Sequence, residues 1–161
     1  MTVPAVDTEN TITEGKMKAQ TSRFGEIEID PDRIITMTSP FLGFPDSTRF
    51  ILRPGKQDSP FMWLQSLDDP ELAFVIIQPH VLGLEYSPPI PETIREELKI
   101  HTDANQEILL ILTIPEGKPQ EMTANLLGPI IVNSEERLAR QVVLDPNKYE
   151  LCWPVFDNSA A

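Results

Sequence analysis

The sequence predicts a mainly β fold: a small antiparallel β-barrel-like single domain with one short helix. Three observations predict it. Short apolar runs recur along the chain, each closed off by Pro, Gly, Asp or Asn, which is the punctuation of an antiparallel barrel or sandwich. Proline supplies 16 of the 161 residues, about twice the usual share of about 5%, and so many prolines disfavour long helices. Only one stretch carries helical spacing. A chain of this length fits one domain with its own core.

Taken in order, residues 1–20 show no sustained apolar period and read as a flexible extension. The barrel domain is expected over residues 21–156, with a flexible tail over 157–161. In FGEIEID, Ile27 and Ile29 share one strand face and Glu26 and Glu28 the other. Asp30-Pro31-Asp32 is a turn, and Ile34 to Met37 a second strand, so the two are expected to form a hairpin. SPFLGFPD, residues 39–46, is a loop whose Phe41, Leu42 and Phe44 are apolar. It either folds back to plug the barrel end or presents a docking surface.

RFIL (49–52) and PFMWLQSL (60–67) are further strands, separated by a polar turn. Asp68-Asp69-Pro70 is a turn. LAFVII (72–77) is continuously apolar, as a strand buried on both faces must be. PPIPETIREELKIH (88–101) holds the helix, with Ile94 and Leu98 turned inward and an outer face of charge. About ten residues cannot stand alone, so this helix packs on the sheet. EILLILTI (107–114) is the strongest strand and is expected at the centre. In NLLGPIIVNSEERLARQVVL (125–144), Ile130-Ile131-Val132 and Val142-Val143-Leu144 read as two strands around a polar turn. Lys148 to Trp153 is expected to form the last strand.

The chemistry-bearing residues are sparse. His80 and His101 have no ligand spacing around them, so no metal site is expected. Cys152 has no Lys, Arg or His beside it and reads as a buried structural thiol. There is no G-x-S-x-G elbow and no phosphate-cradling glycine loop. No catalytic residue and no cofactor is assigned. The net charge is −12, which opposes nucleic acid and anionic membranes and favours basic partners. Residues 57–94 contain no Lys or Arg but include Asp58, Asp68, Asp69, Glu71, Glu85 and Glu92. These acids either converge on one surface or merely solvate the barrel.

Five segments carry a resemblance: FGEIEID, SPFLGFPD, FMWLQSLDDPELAFVIIQP, EILLILTIPEG and NLLGPIIVNSEERLARQVVL. In this order, over residues 23–153, they resemble the flagellar assembly factor FliW family. The resemblance implies a β-barrel-like cytoplasmic domain without catalytic activity or cofactor. It implies two partners, flagellin and the RNA-binding translational regulator CsrA. Once flagellin is exported, the freed protein sequesters CsrA and flagellin translation is released. An RNA-binding repressor tends to be basic, so Asp68, Asp69, Glu71 and Glu85 are the candidate contacts for it, with Glu135 and Glu136 at an exposed turn. Flagellin termini are amphipathic helices that need an apolar seat, for which Phe41, Leu42 and Phe44 are candidates. No direct contact with nucleic acid or membrane is expected. Two alternatives compete: a barrel carrier for a small ligand, needing a lined cavity, and a hydrolase using Asp68 or Asp69 opposite a second acid.

Overall fold

The computed structural model describes residues 17–156. Its strands are β1 (Met17–Thr21), β2 (Gly25–Ile29), β3 (Ile35–Met37), β4 (Arg49–Pro54), β5 (Met62–Ser66), β6 (Ala73–Ile77), β7 (Gln106–Thr113), β8 (Thr123–Ala124), β9 (Ile130–Asn133), β10 (Leu138–Gln141) and β11 (Trp153–Pro154). One α-helix, α1 (Glu92–Glu97), lies in the long β6–β7 crossover. Strands β7-β6-β5-β4-β3-β10-β9 form a ring that closes where β9 pairs with β7. A closed ring of seven strands cannot alternate in direction all the way round. The one parallel pairing falls between β3 and β10, Thr36 beside Leu138 and Met37 beside Ala139. β8 and β11 extend from the far half of β7, outside the ring.

Burial explains the unbroken apolar runs. In β7, Leu109 and Ile111 point into the barrel with Phe50, Leu64, Ile76 and Ile130. Leu110 and Leu112 point outward under the residue 82–86 strap with Tyr86 and Trp153. Ile108 points outward under the helix. Both faces of this strand are covered, so both carry apolar residues. β6 follows the same rule, with Ile76 inside and Ile77 outside. The interior is filled by large side chains, and Phe41 enters it from the β3–β4 loop, edge-on to Phe50 at 5.4 Å. Among the described residues, these side chains occupy the space that a small-ligand carrier would keep open as a lined cavity.

Several local expectations are corrected. FGEIEID does not pair with the strand after it. β2 pairs with β1 in a separate two-stranded sheet, because Asp30 accepts from the Asp32 amide and Pro31–Arg33 form a 3-10 turn that carries the chain onward. The extension expected over residues 1–20 is therefore already strand at Met17–Gln20. Lys18 and Gln20 on the open face hid that strand from its pattern. The β1–β2 turn is fastened by Thr21, whose Oγ1 accepts from the Phe24 amide and donates to the Gly25 carbonyl. Gly25 sits at φ +70°, where a side chain is strained. Residues 1–16 and the tail over 157–161 lie outside the described residues.

The helix is six residues long rather than about ten. Pro91 precedes it, and Lys99 ends it in a left-handed conformation (φ 61°). The Ile100 amide then bonds the Arg95 carbonyl and the Lys99 amide that of Glu96, a Schellman stop. Leu98 and Ile94 pack on Ile131 and Val142, which hold the helix against β9 and the end of β10. Finally, the last strand is only Trp153–Pro154, and Cys152 is exposed rather than buried. Its neighbour Trp153 takes the inward position in the outer cluster.

The segment from residue 125 becomes one long ladder. β9 and β10 pair from Asn133–Leu138 to Ile130–Gln141. The same register continues as the Val142 amide bonds the Pro129 carbonyl and the Leu144 amide that of Leu127. The second strand of this pair thus begins at Leu138, earlier than Val142, and Val143 is 77% exposed.

Candidate functional site

The strand order places the loops at two ends. One end collects the β3–β4 loop and the β5–β6 turn. The other collects the β4–β5 hairpin loop, with Asp58, and the β9–β10 turn, with Glu135 and Glu136. The acids of residues 57–94 are therefore split. Asp68, Asp69 and Glu71 sit at the first end, Asp58 at the second, and Glu85 and Glu92 on the crossover between β6 and β7.

At the first end an open depression is lined by Gly43, Phe44, Asp46 and Ser47 on one side and by Asp68, Asp69 and Pro70 on the other. Two motifs far apart in the chain thus meet: the apolar loop and the acidic turn. A second recess adjoins across Pro70 and is lined by Ser22, Arg23, Gln65 and Glu71.

A buried polar frame holds this end in shape. Gln65, Ser66 and Ser47 are all buried. Ser66 Oγ accepts from the amides of Asp68 (3.1 Å) and Asp69 (2.9 Å) and contacts Ser47 Oγ at 3.2 Å. Gln65 Nε2 donates to the carbonyls of Ser66, Pro70 and Leu72. Each such bond saves a buried group from the cost of being unpaired.

The candidate residues separate by role. Asp68 is a clamp: Oδ2 accepts from the Thr48 and Arg49 amides at 2.9 and 3.0 Å, and Oδ1 accepts from the Arg49 guanidinium at 2.9 and 3.1 Å. Partial burial pushes its carboxyl pKa up, but those amide and guanidinium bonds outweigh it, and the net shift is downward. Held ionised in this way, Asp68 is unsuited to serve as a proton donor. Asp69 accepts from the Glu71 amide at 3.0 Å and is exposed, as is Glu71. Leu42 is 97% exposed and Phe44 38% exposed, whereas Phe41 is core and offers no surface to a partner. Asp46, Arg23 and Gln65 also line this end. Asp46 is the last residue of the apolar loop; nothing in the local pattern marks Arg23 or Gln65.

Glu135 and Glu136 are exposed at the opposite end, and their amides are held by Asn133 Oδ1 at 2.9 and 3.0 Å. Asn133 Nδ2 donates to the Leu98 and Lys99 carbonyls, so one buried side chain ties the β9–β10 turn to the end of α1. Among the described residues there is no group of His, Cys, Asp and Glu able to hold a metal ion. No helix there is long and apolar enough to cross a membrane.

This architecture is shared with known proteins. The FliW protein family model matches residues 18–155. A flagellar assembly factor FliW of Magnetococcus marinus is 39% identical over 127 residues, covering 79% of this chain and 78% of its own length. The FliW of Natranaerobius thermophilus is 36% identical over 142 residues, covering 88% of this chain and 94% of its own. A crystal structure of the flagellar assembly factor FliW superimposes with a TM-score of 0.80 at 30% identity, covering 88% of this chain and 99% of that one. With its sequence matched from β1 to β11 and its barrel superimposed, the chain belongs to the FliW family.

Proposed function

We propose that this protein is a non-enzymatic, cytoplasmic regulator of flagellar assembly that binds flagellin and the translational regulator CsrA in alternation. Release from exported flagellin frees it to sequester CsrA, and flagellin translation resumes. Membership of the FliW family supports the flagellar role. The observation that carries the finer reading is the first barrel end, where exposed Asp46, Asp69 and Glu71 border the apolar Leu42 and Phe44. An acidic rim suits a basic RNA-binding protein and repels its RNA. Exposed apolar side chains beside it suit the face of an amphipathic helix.

The test is a titration of CsrA with this protein, with flagellin added as competitor. Binding of CsrA that flagellin displaces supports the reading, and no binding of either partner overturns it. Asp69→Lys with Glu71→Lys should weaken CsrA binding by about tenfold or more at low salt, with a flatter salt dependence. Unchanged affinity removes these residues from the interface. Asp68 is excluded from that test because its substitution would loosen the turn itself.

A further inference from the structure

The outer face of the barrel carries a feature that the acidic end does not use. The β1–β2 turn lies over β4 and β5, with Ile27 and Ile29 packed on Ile51 and Leu67. At its tip, Arg23 and Phe24 meet Arg53 and Trp63, which face each other across the β4–β5 pair. The four side chains form a row. The Arg23 guanidinium sits 4.1 Å from the Trp63 ring centre, Trp63 meets Phe24 edge-on at 6.1 Å, and the Arg53 guanidinium sits 5.0 Å from the Phe24 ring.

Three properties set this row apart. Among the described residues, neither guanidinium has a carboxylate within ion-pair distance, although the chain holds 25 acids against 13 bases. Arg53 is half-buried, and its Nε–H is buried with no acceptor in reach. The row also runs into the recess of Ser22, Arg23, Gln65 and Glu71, where Gln65 Oε1 is buried without a donor. A ring beneath a guanidinium covers its face and leaves its N–H edge to bind in the plane, the geometry that takes a carboxylate in two parallel bonds.

We propose that this row is a second interaction surface, which binds a short acidic peptide segment of a partner protein. The carboxylates of the segment meet Arg23 and Arg53, its intervening apolar atoms lie on Trp63 and Phe24, and an N–H donor near Arg23 meets Gln65 Oε1. The contour from one guanidinium to the other is at most about 15 Å, within reach of two acidic residues on one face of an extended chain, up to about four positions apart. Peptide is favoured over nucleic acid because a net charge of −12 repels a dense run of phosphates far more than two carboxylates. The row meets the acidic end only at the recess that Arg23 and Gln65 share with Glu71, and the proposal does not depend on the CsrA and flagellin reading.

The experiment uses the full chain carrying Trp153→Phe, which leaves Trp63 as the only tryptophan. Its fluorescence is titrated with an extended eight-residue peptide bearing two glutamates four positions apart, with the same peptide carrying glutamines, and with a single-stranded DNA oligonucleotide. A saturable change with the glutamate peptide alone, weakened by salt, is expected. Arg23→Gln, at an exposed position, should weaken it by about threefold to tenfold, and adding Arg53→Gln should abolish it. Unfolding curves of each variant verify that the barrel is intact, and the Arg23→Gln result stands even if Arg53→Gln unfolds. No saturable change, equal binding of the glutamine peptide, unchanged affinity in Arg23→Gln, or preference for the oligonucleotide would each overturn the proposal.

Discussion

Replacing Asp68 by Ala removes an acceptor that binds two backbone amides and one guanidinium at once. Hydrogen bonds to charged groups contribute about 1.5–3 kcal/mol. The Asp68 side chain is 20% exposed, so water can reach part of the site after truncation, and the two amides together are worth about 2 kcal/mol. The Arg49 side chain is 47% exposed, and such a surface ion pair adds only about 0–1 kcal/mol. The expected loss is about 2–3 kcal/mol, measured as a shift of about 1–2 M in the urea midpoint. Arg49→Ala, which spares the amides, should cost under about 1 kcal/mol.

The pH dependence follows from the same bonds. The folded-state pKa of Asp68 lies below its ordinary 3.8, so its contribution is full above that value and is lost as pH falls through the folded pKa. Wild type and Asp68→Ala should therefore converge in acid. A loss below about 0.5 kcal/mol near neutral pH, or a gap that stays constant down to about pH 2, would refute the clamp.

Asn133→Ala should cost about 3 kcal/mol or more in the same denaturation assay, because four backbone groups at a site 1% exposed lose their partners together. Gly128→Ala should cost about 1–2 kcal/mol. Its new Cβ would stand 2.9 Å from Gln141 Nε2 and 3.2 Å from Asn125 Nδ2, the side chains that fasten this loop to β10 and to itself. Cys152 should react to completion with a thiol reagent in the native protein, and a thiol that reacts only after denaturant is added would contradict its exposure.

Much of the architecture is legible in the residues because burial on both faces leaves a local mark. LAFVII and EILLILTI are unbroken apolar runs for that reason, and both are strands of the ring. Ile27 and Ile29 mark a one-sided strand with equal clarity. Strand β1 left no such mark: Lys18 and Gln20 face water, and Ala19 is the small residue between them. The candidate surface is less legible still. SPFLGFPD contains three large apolar residues, and only the closed barrel decides that Phe41 is swallowed while Leu42 is left almost wholly in solvent. The acids of residues 57–94 look alike in the chain, yet Asp68 is engaged by Arg49 while Asp69 and Glu71 remain open.

The sequence by itself determined most of the ring strands, where the helix falls and which family the chain resembles. All three are properties of local pattern or of ordered segments. Tertiary structure decided which strands pair, because pairing joins residues distant in the chain and the hydrophobic period is silent on partners. It set β2 beside β1 rather than β3, and it placed the single parallel pairing that an odd ring demands between β3 and β10. It also brought the acidic turn to the apolar loop, and Arg23 to a tryptophan forty residues later. Those juxtapositions follow from ring closure and from the hairpin laid across it, and a linear pattern of residue types records neither.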